Sequence, residues 1–272
     1  MPLAHPILTA LIGSFIVFLI FLVRPSSGNS TAQSSEMAPL VMSAVAKHTA
    51  TVIFMHGLGD TGFGWASAVE MWQKRGKLNH VKFILPHAPS IPVSVNGGMV
   101  MPAWFDITAL GGSLDDIKKN QDEPGHLKTR EFVHGLIQAE IDAGIPSNRI
   151  IVGGFSMGAA MSHLSALTSK VKLAGVVGLS SWLPLDQKFP ELVKEAGNVN
   201  QNTPIFMGHG TADPYVPFAL GQLTAETLKQ QGFGVEFKSY PGMAHSACLE
   251  ELEAVESFMA KQLPVDEGKS EL

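Results

Sequence analysis

The sequence predicts an α/β fold with a mostly parallel central sheet and helices on both of its faces. Three observations carry this. Apolar, β-rich runs alternate with helix-period segments from about residue 49 to residue 263. The runs are nearly continuous in apolar residues, as strands buried on both faces require. Glycine (27) and proline (17) are plentiful, which suits many tight strand-to-helix turns.

Taken in order, the strands are expected at Thr51–Met55, Val81–Leu85, Arg149–Gly153, Leu173–Leu179, Pro204–Gly208 and Phe233–Tyr240. Val133, Leu136, Ile137 and Ile141 share one face of a helix over His126–Asp142, and Leu249, Leu252, Val255 and Met259 share one face of the last helix. Strands alternating with helices build parallel units. One long stretch, Pro86 to Pro124, reads as irregular and is interrupted by Gly97-Gly98 and Gly111-Gly112. Loops of that length in compact domains are usually functional. No internal repeat is present.

Composition narrows the function classes. The 272 residues are 45% hydrophobic and 16% charged, which excludes a disordered chain, and the net charge of −5 without a long basic run excludes nucleic acid as the main partner. The single cysteine, Cys248, rules out an internal disulfide framework and a Cys-rich zinc site, and it fits a reducing compartment. With no H-E-x-x-H, P-loop or EF-hand pattern, neither a metal nor another cofactor is called for.

Three segments divide the chain. Residues 1–36 hold an apolar run, Ile7–Val23, followed by Arg24, Pro25 and a polar linker; residues 37–264 form one globular domain; residues 265–272 are a polar tail. The apolar run just reaches the lower limit of a bilayer span, about 17 residues. It reads as a membrane anchor, a cleaved signal, or a segment absent from the working protein, with Met37 or Met42 as the start. The signal reading, which implies the secretory pathway, is opposed by the lack of Lys or Arg before the run. Arg24 biases the bulk of the chain toward the cytosol. The terminal Lys269-Ser270-Glu271-Leu272 matches an ER-retention tail only loosely, with Ser in place of the acidic residue.

The first strand runs into Gly57-Leu58-Gly59-Asp60-Thr61-Gly62, a G-x-G-x-x-G pattern. A dinucleotide site would need an acidic residue at the end of the next strand, and that strand ends Leu85-Pro86-His87. A tight turn, or a loop whose N–H groups face an anion, remains. Gly154-Phe155-Ser156-Met157-Gly158 fits G-x-S-x-G in a telling context, since it follows a strand and opens a helix. There a serine stands exposed on a strained turn that tolerates only small neighbours, here Gly154, Gly158 and Ala159.

A serine hydroxyl needs a base, and the base needs an orienter. In this architecture the chain order is Ser, acid, His. Asp213 follows the strand ending at Gly208, and His245 follows the last strand, each at a carboxyl end. Catalytic candidates are therefore Ser156 as nucleophile, His245 as base and Asp213 as orienter. Leu58 and Met157 stand where the two backbone donors of an oxyanion hole belong. Of the rivals, His209 positions the acid, His163 packs, and His56 shapes the glycine loop. Asp186 has no strand immediately before it, and Cys248 sits inside the final helix without a base of its own.

HTATVIFMHGLGDTGFGW, FILPHAP, MPAWFDI, GIPSNRIIVGGFSMGAA, LSSWLPL, HGTADPYVP and YPGMAHSAC together resemble the acyl-protein thioesterase/lysophospholipase branch of the α/β-hydrolases, the fungal members above all. The resemblance runs from about Lys47 to Pro264. It implies the α/β-hydrolase fold, the triad Ser156, Asp213 and His245, and oxyanion donors at Leu58 and Met157. This chain departs from the family pattern at Met157, where Gln is usual, and at Gly158-Ala159, where Gly-Gly is usual. The implied reaction is removal of S-linked palmitoyl groups from protein cysteines, with lysophospholipids and small esters as lesser substrates. G-alpha or Ras-like proteins are the implied partners, in the cytoplasm and nucleus. Val93, Val95, Met99, Val100, Met101 and Trp104, with Trp182 and Leu183, either line an acyl groove or simply bury the long loop. A carboxylesterase or lysophospholipase, or a non-catalytic binder on the same fold, are the alternatives.

Overall fold

The computed structural model describes residues 37–108 and 121–265. The apolar run Ile7–Val23, the pair Gly111-Gly112 and the terminal Lys269–Leu272 lie outside them. In chain order the elements are β1 (Leu40–Met42), β2 (Ala50–Met55), α1 (Ala66–Arg75), β3 (Val81–Leu85), β4 (Ser90–Val93), β5 (Met99–Pro102), α2 (Glu123–Asp142), β6 (Ile150–Phe155), α3 (Met157–Leu167), β7 (Gly175–Leu179), α4 (Phe189–Glu195), β8 (Ile205–Gly210), α5 (Phe218–Gln230), β9 (Val235–Tyr240) and α6 (Leu249–Gln262).

Among the described residues, seven strands form one sheet in the order β1-β3-β2-β6-β7-β8-β9. Only β1 runs antiparallel to its neighbour. Two cores explain why the strands read as continuous apolar runs. On one face Ile53, Met55, Val152, Val176 and Met207 pack against Val133 and Ile137 of α2, Met161 and Leu164 of α3, and Leu220 and Leu228 of α5. On the other, Val52, Phe54, Ile151, Val177 and Phe206 pack against Val69 and Trp72 of α1 and Val255, Phe258 and Met259 of α6. Successive residues of β2 thus alternate between two dry layers, and neither face is free to be polar. Trp72 is fully buried and its Nε1–H donates to Leu252 O at 3.0 Å, tying α1 to α6.

The structure corrects the sequence reading in several places. The stretch Pro86–Pro124 is not irregular throughout: β4 and β5 form an antiparallel hairpin joined by a 3-10 turn over Ser94–Asn96 and then Gly97-Gly98, with φ of 65° and 80°. Helix α2 begins three residues earlier than expected. Asp122 caps it by accepting from Gly125 N, and Pro124 occupies the first turn, where no N–H is needed. Leu249, expected on the buried face of the last helix, is exposed, because it is the helix's first residue and precedes the contact with β7 and β8. Cys248 is the N-cap of that helix and not inside it. Met42 pairs with Phe83 as part of β1, so a chain beginning there would lose that strand. The β9 strand is an edge, with Val235 and Phe237 facing the core and Glu236 and Lys238 turned outward.

The order of the sheet fixes where a site forms. From β2 the chain steps to β3 on one side, then returns to β6 on the other. The loops leaving the carboxyl ends of β2 and β6 therefore diverge at the point where an open parallel sheet opens a crevice. Those loops are the glycine loop and the serine turn, and the register sets Met55 beside Gly154.

Candidate active site

Ser156 stands between β6 and α3 with φ of 55° and ψ of −121°, a conformation costly for any side chain. The surroundings over-determine it. Ser156 N donates to Leu179 O at 2.8 Å, and a β-carbon at Gly154 or Gly158 would collide with backbone: Gly158 C at 2.6 Å for the former, the carbonyl oxygens of Met55 and His56 for the latter. The small residues of the motif are thus demanded by the close pass of α3 over the end of β2. Because the strain resides at the β-carbon, Ser156→Gly is expected to melt higher than Ser156→Ala, by about 1–2 kcal/mol in thermal denaturation. Equal stability of the two variants would contradict a strained turn.

The base reaches the serine directly. His245 Nε2 lies 2.9 Å from Ser156 Oγ, and His245 Nδ1 lies 2.7 Å from Asp213 Oδ2. A carboxylate only accepts, so Nδ1 carries the proton and Nε2 is left to accept from the serine hydroxyl. Asp213 Oδ1 accepts from the N–H groups of Tyr215 and Val216, both at 2.9 Å. Burial would raise this carboxyl's pKa, but hydrogen bonds from His209 and His245 outweigh it and hold Asp213 well below the usual carboxylate range. His209 Nε2 sits 3.5 Å from Asp213 Oδ2 while donating to Val216 O at 2.9 Å, so it secures the acid loop from beneath. The loops bearing acid and base are stitched together by Thr211 N to Tyr240 O (3.0 Å), Ala212 N to Met243 O (3.1 Å) and Gly242 N to Thr211 Oγ1 (2.9 Å).

The glycine loop abuts this centre. A β-carbon placed on Gly57 would lie 3.4 Å from Ser156 Cβ. His56 Nε2 accepts from Ala88 N at 3.0 Å, so its Nδ1 carries the proton and donates to Gly57 O at 2.7 Å. Burial pushes the His56 pKa down, keeping it neutral in this role. Met157 is the first residue of α3, so its N–H has no acceptor within the helix. Its sulfur, fully buried, accepts from Trp104 N at 3.2 Å, and Trp104 Nε1–H donates to His56 O at 2.9 Å. Trp104 thus links the loop carrying Leu58 to the helix carrying Met157. Nothing in the sequence signalled that link.

The remaining candidates fall into two groups. Trp104, Trp182, Leu183 and Val93 are buried in the same cluster as Met157, with Val95 and Met101 packed against it. Ser180 and Leu185, at φ of 50° and 51°, turn the chain so that Trp182 and Leu183 point inward. Met99 and Val100, by contrast, are exposed in the β4–β5 hairpin. His163 is buried beneath Gly178, its pKa pushed by burial to about 4.

Comparison with known proteins gives the family. Residues 37–263 match the phospholipase/carboxylesterase family. A Neurospora crassa protein, acyl-protein thioesterase 1, is 56% identical over 240 residues, covering 88% of this chain and 98% of the relative. The Gibberella zeae protein of the same name is 56% identical over 231 residues, covering 85% and 98%. Among solved structures, Zea mays acyl-protein thioesterase 2 superposes with a TM-score of 0.73 at 33% identity, covering 83% of this chain and 98% of that one. The serine turn at a sheet crevice, the Ser–His–Asp contacts and these matches have one consequence: the chain belongs to the phospholipase/carboxylesterase family of α/β-hydrolases.

Proposed function

We propose that the chain is a serine hydrolase that releases S-linked palmitoyl groups from protein cysteines. The observation that carries the reading is the unbroken relay from Ser156 Oγ through His245 to Asp213. The similarity to fungal acyl-protein thioesterases supports the substrate class.

In this mechanism His245 takes the hydroxyl proton as Ser156 Oγ attacks the thioester carbonyl. The carbonyl oxygen becomes an oxyanion held by the N–H groups of Leu58 and Met157. Each such donor is worth about 3 kcal/mol in comparable sites. Collapse expels the cysteine thiolate, which the imidazolium protonates, leaving palmitate esterified to Ser156. Water then enters, gives its proton to His245 and attacks the ester. Palmitate leaves and Ser156 recovers its proton from the imidazolium. Asp213, ionised throughout, stabilises the imidazolium in both halves. In this reading the acyl chain lies along Val95 and Met101, which pack, partly exposed, against the buried Trp104, Trp182 and Leu183, and unbranched Met101 adapts to its many conformers.

G-alpha or Ras-like proteins are the proposed substrates, with lysophospholipids and small esters as slower ones. No helix among the described residues is long and apolar enough to cross a membrane. Ile7–Val23, acting as an anchor at the cytosolic face, would hold the enzyme beside acylated proteins. The test offers the full chain and Ser156→Ala an S-palmitoylated peptide and follows free thiol. Serine-dependent release, at least about 10⁴-fold above the variant, is the expected result. Serine-dependent turnover confined to lysolipid or small esters would instead make the protein a lipid or carboxylic-ester hydrolase.

A further inference from the structure

We infer that Tyr215 is a positioning residue for the proposed base, closing an aromatic clamp that holds the His245 ring in line with Ser156. The inference rests on the proposed triad and adds a residue to it.

His245 sits on an irregular loop between β9 and α6, yet its side chain is only 8% exposed. Two rings flank it. Phe155, the residue before the nucleophile, lies 4.7 Å away between centroids and tilted by 46°; Tyr215 lies 5.6 Å away and nearly edge-on, at 67°. Both distances fall in the range where aromatic pairs attract beyond simple burial. Phe155 is 8% exposed and packs with Trp65 at 5.7 Å between centroids, so it forms the fixed wall. The opposite side of the imidazole faces Tyr215, which supplies the second wall.

Tyr215 is built to be that wall. Its own N–H donates to Asp213 Oδ1, so one residue touches the acid through its backbone and the base through its ring. Pro214 precedes it and Pro217 follows Val216, which fixes two φ angles in four residues. Val216 is bound on both sides, its N–H to Asp213 Oδ1 and its carbonyl to His209 Nε2. Tyr215 is 42% exposed, too much to be explained as core. A large ring held rigidly at the mouth, with its edge against the imidazole, restrains that imidazole.

Ring contact, not the hydroxyl, does the holding, so the decisive comparison is Tyr215→Phe against Tyr215→Leu in the full chain. Three quantities are measured for each: kcat/KM and KM on a palmitoyl-thioester peptide, the rate of Ser156 phosphonylation by a fluorophosphonate, and the low-field proton resonance of the Asp213–His245 hydrogen bond. Tyr215→Phe is expected within about 3-fold of wild type. Tyr215→Leu is expected to lose about 10- to 100-fold in kcat/KM and equally in phosphonylation, with KM nearly unchanged and the resonance broadened, as for a displaced catalytic group. A raised KM with normal phosphonylation, or a Leu variant as fast as the Phe variant, would overturn the inference. Turnover surviving in Ser156→Ala would instead sink the triad itself, so the two failures are distinct.

Discussion

Asp213→Asn is expected to lower kcat on a thioester by about 10⁴-fold while leaving the geometry of the site intact. The size follows from which way the amide must face. Asp213 Oδ1 accepts two backbone N–H groups, from Tyr215 and Val216. An asparagine keeps those two bonds only by placing its carbonyl oxygen there, which turns its NH₂ toward His245 Nδ1. That nitrogen must then accept, so the imidazole proton moves to Nε2, the atom that faces Ser156 Oγ at 2.9 Å. A protonated Nε2 takes no proton from the serine. Geometry survives and chemistry stops, which separates this variant from a mispositioned base. Steady-state and single-turnover kinetics with melting curves check it. A loss below about 10-fold would mean that Asp213 does not set the tautomer.

The proposed triad was legible because each member lies in a loop after the carboxyl end of a strand in one parallel sheet, and the strands announce themselves by unbroken apolar runs. Residues acting through side-chain contacts between distant segments were not legible. Trp104 looked like one more apolar residue of a long loop, and its bonds to His56 O and Met157 Sδ depend on how α2 and β5 fold back over the crevice. Tyr215 lies within a segment that reads as a turn. The β4–β5 hairpin was hidden by Pro92, Pro102 and the glycine pair, all ordinarily strand breakers. Its two strands pair only with each other, where a missing N–H costs little. Short β1 has three residues, too few for a period to show. Glu251 shares the first turn of α6 with Glu250, a place where acidic residues are ordinarily favoured and solvated.

In the structure Glu251 is fully buried, and neither carboxyl oxygen has a hydrogen-bond partner. It lies over Gly208 of β8, where a β-carbon would strike its Oε1. Burial pushes its pKa up to about 8, from 4.5 in an ordinary glutamate. The sign of the consequence is definite. Below pH 4.5 folded and unfolded chains both hold the proton, and the group costs nothing by ionisation. Between pH 4.5 and 8 the unfolded chain releases a proton that the folded chain keeps, so stability falls as pH rises, and above 8 the loss is complete. Glu251→Gln keeps the neutral shape and removes the titration. Its advantage over wild type is expected to be near zero at pH 4 and to grow to several kcal/mol, on the order of 3–5, by pH 9. Urea denaturation at pH 4, 6, 7.5 and 9 reads this directly, and a pH-independent difference would show that the carboxyl is not held protonated. Glu251 begins the helix that follows the His245 loop, and Tyr240, whose buried hydroxyl is also unpartnered, ends the strand before it. The loop carrying His245 is therefore flanked by two buried polar groups without hydrogen-bond partners.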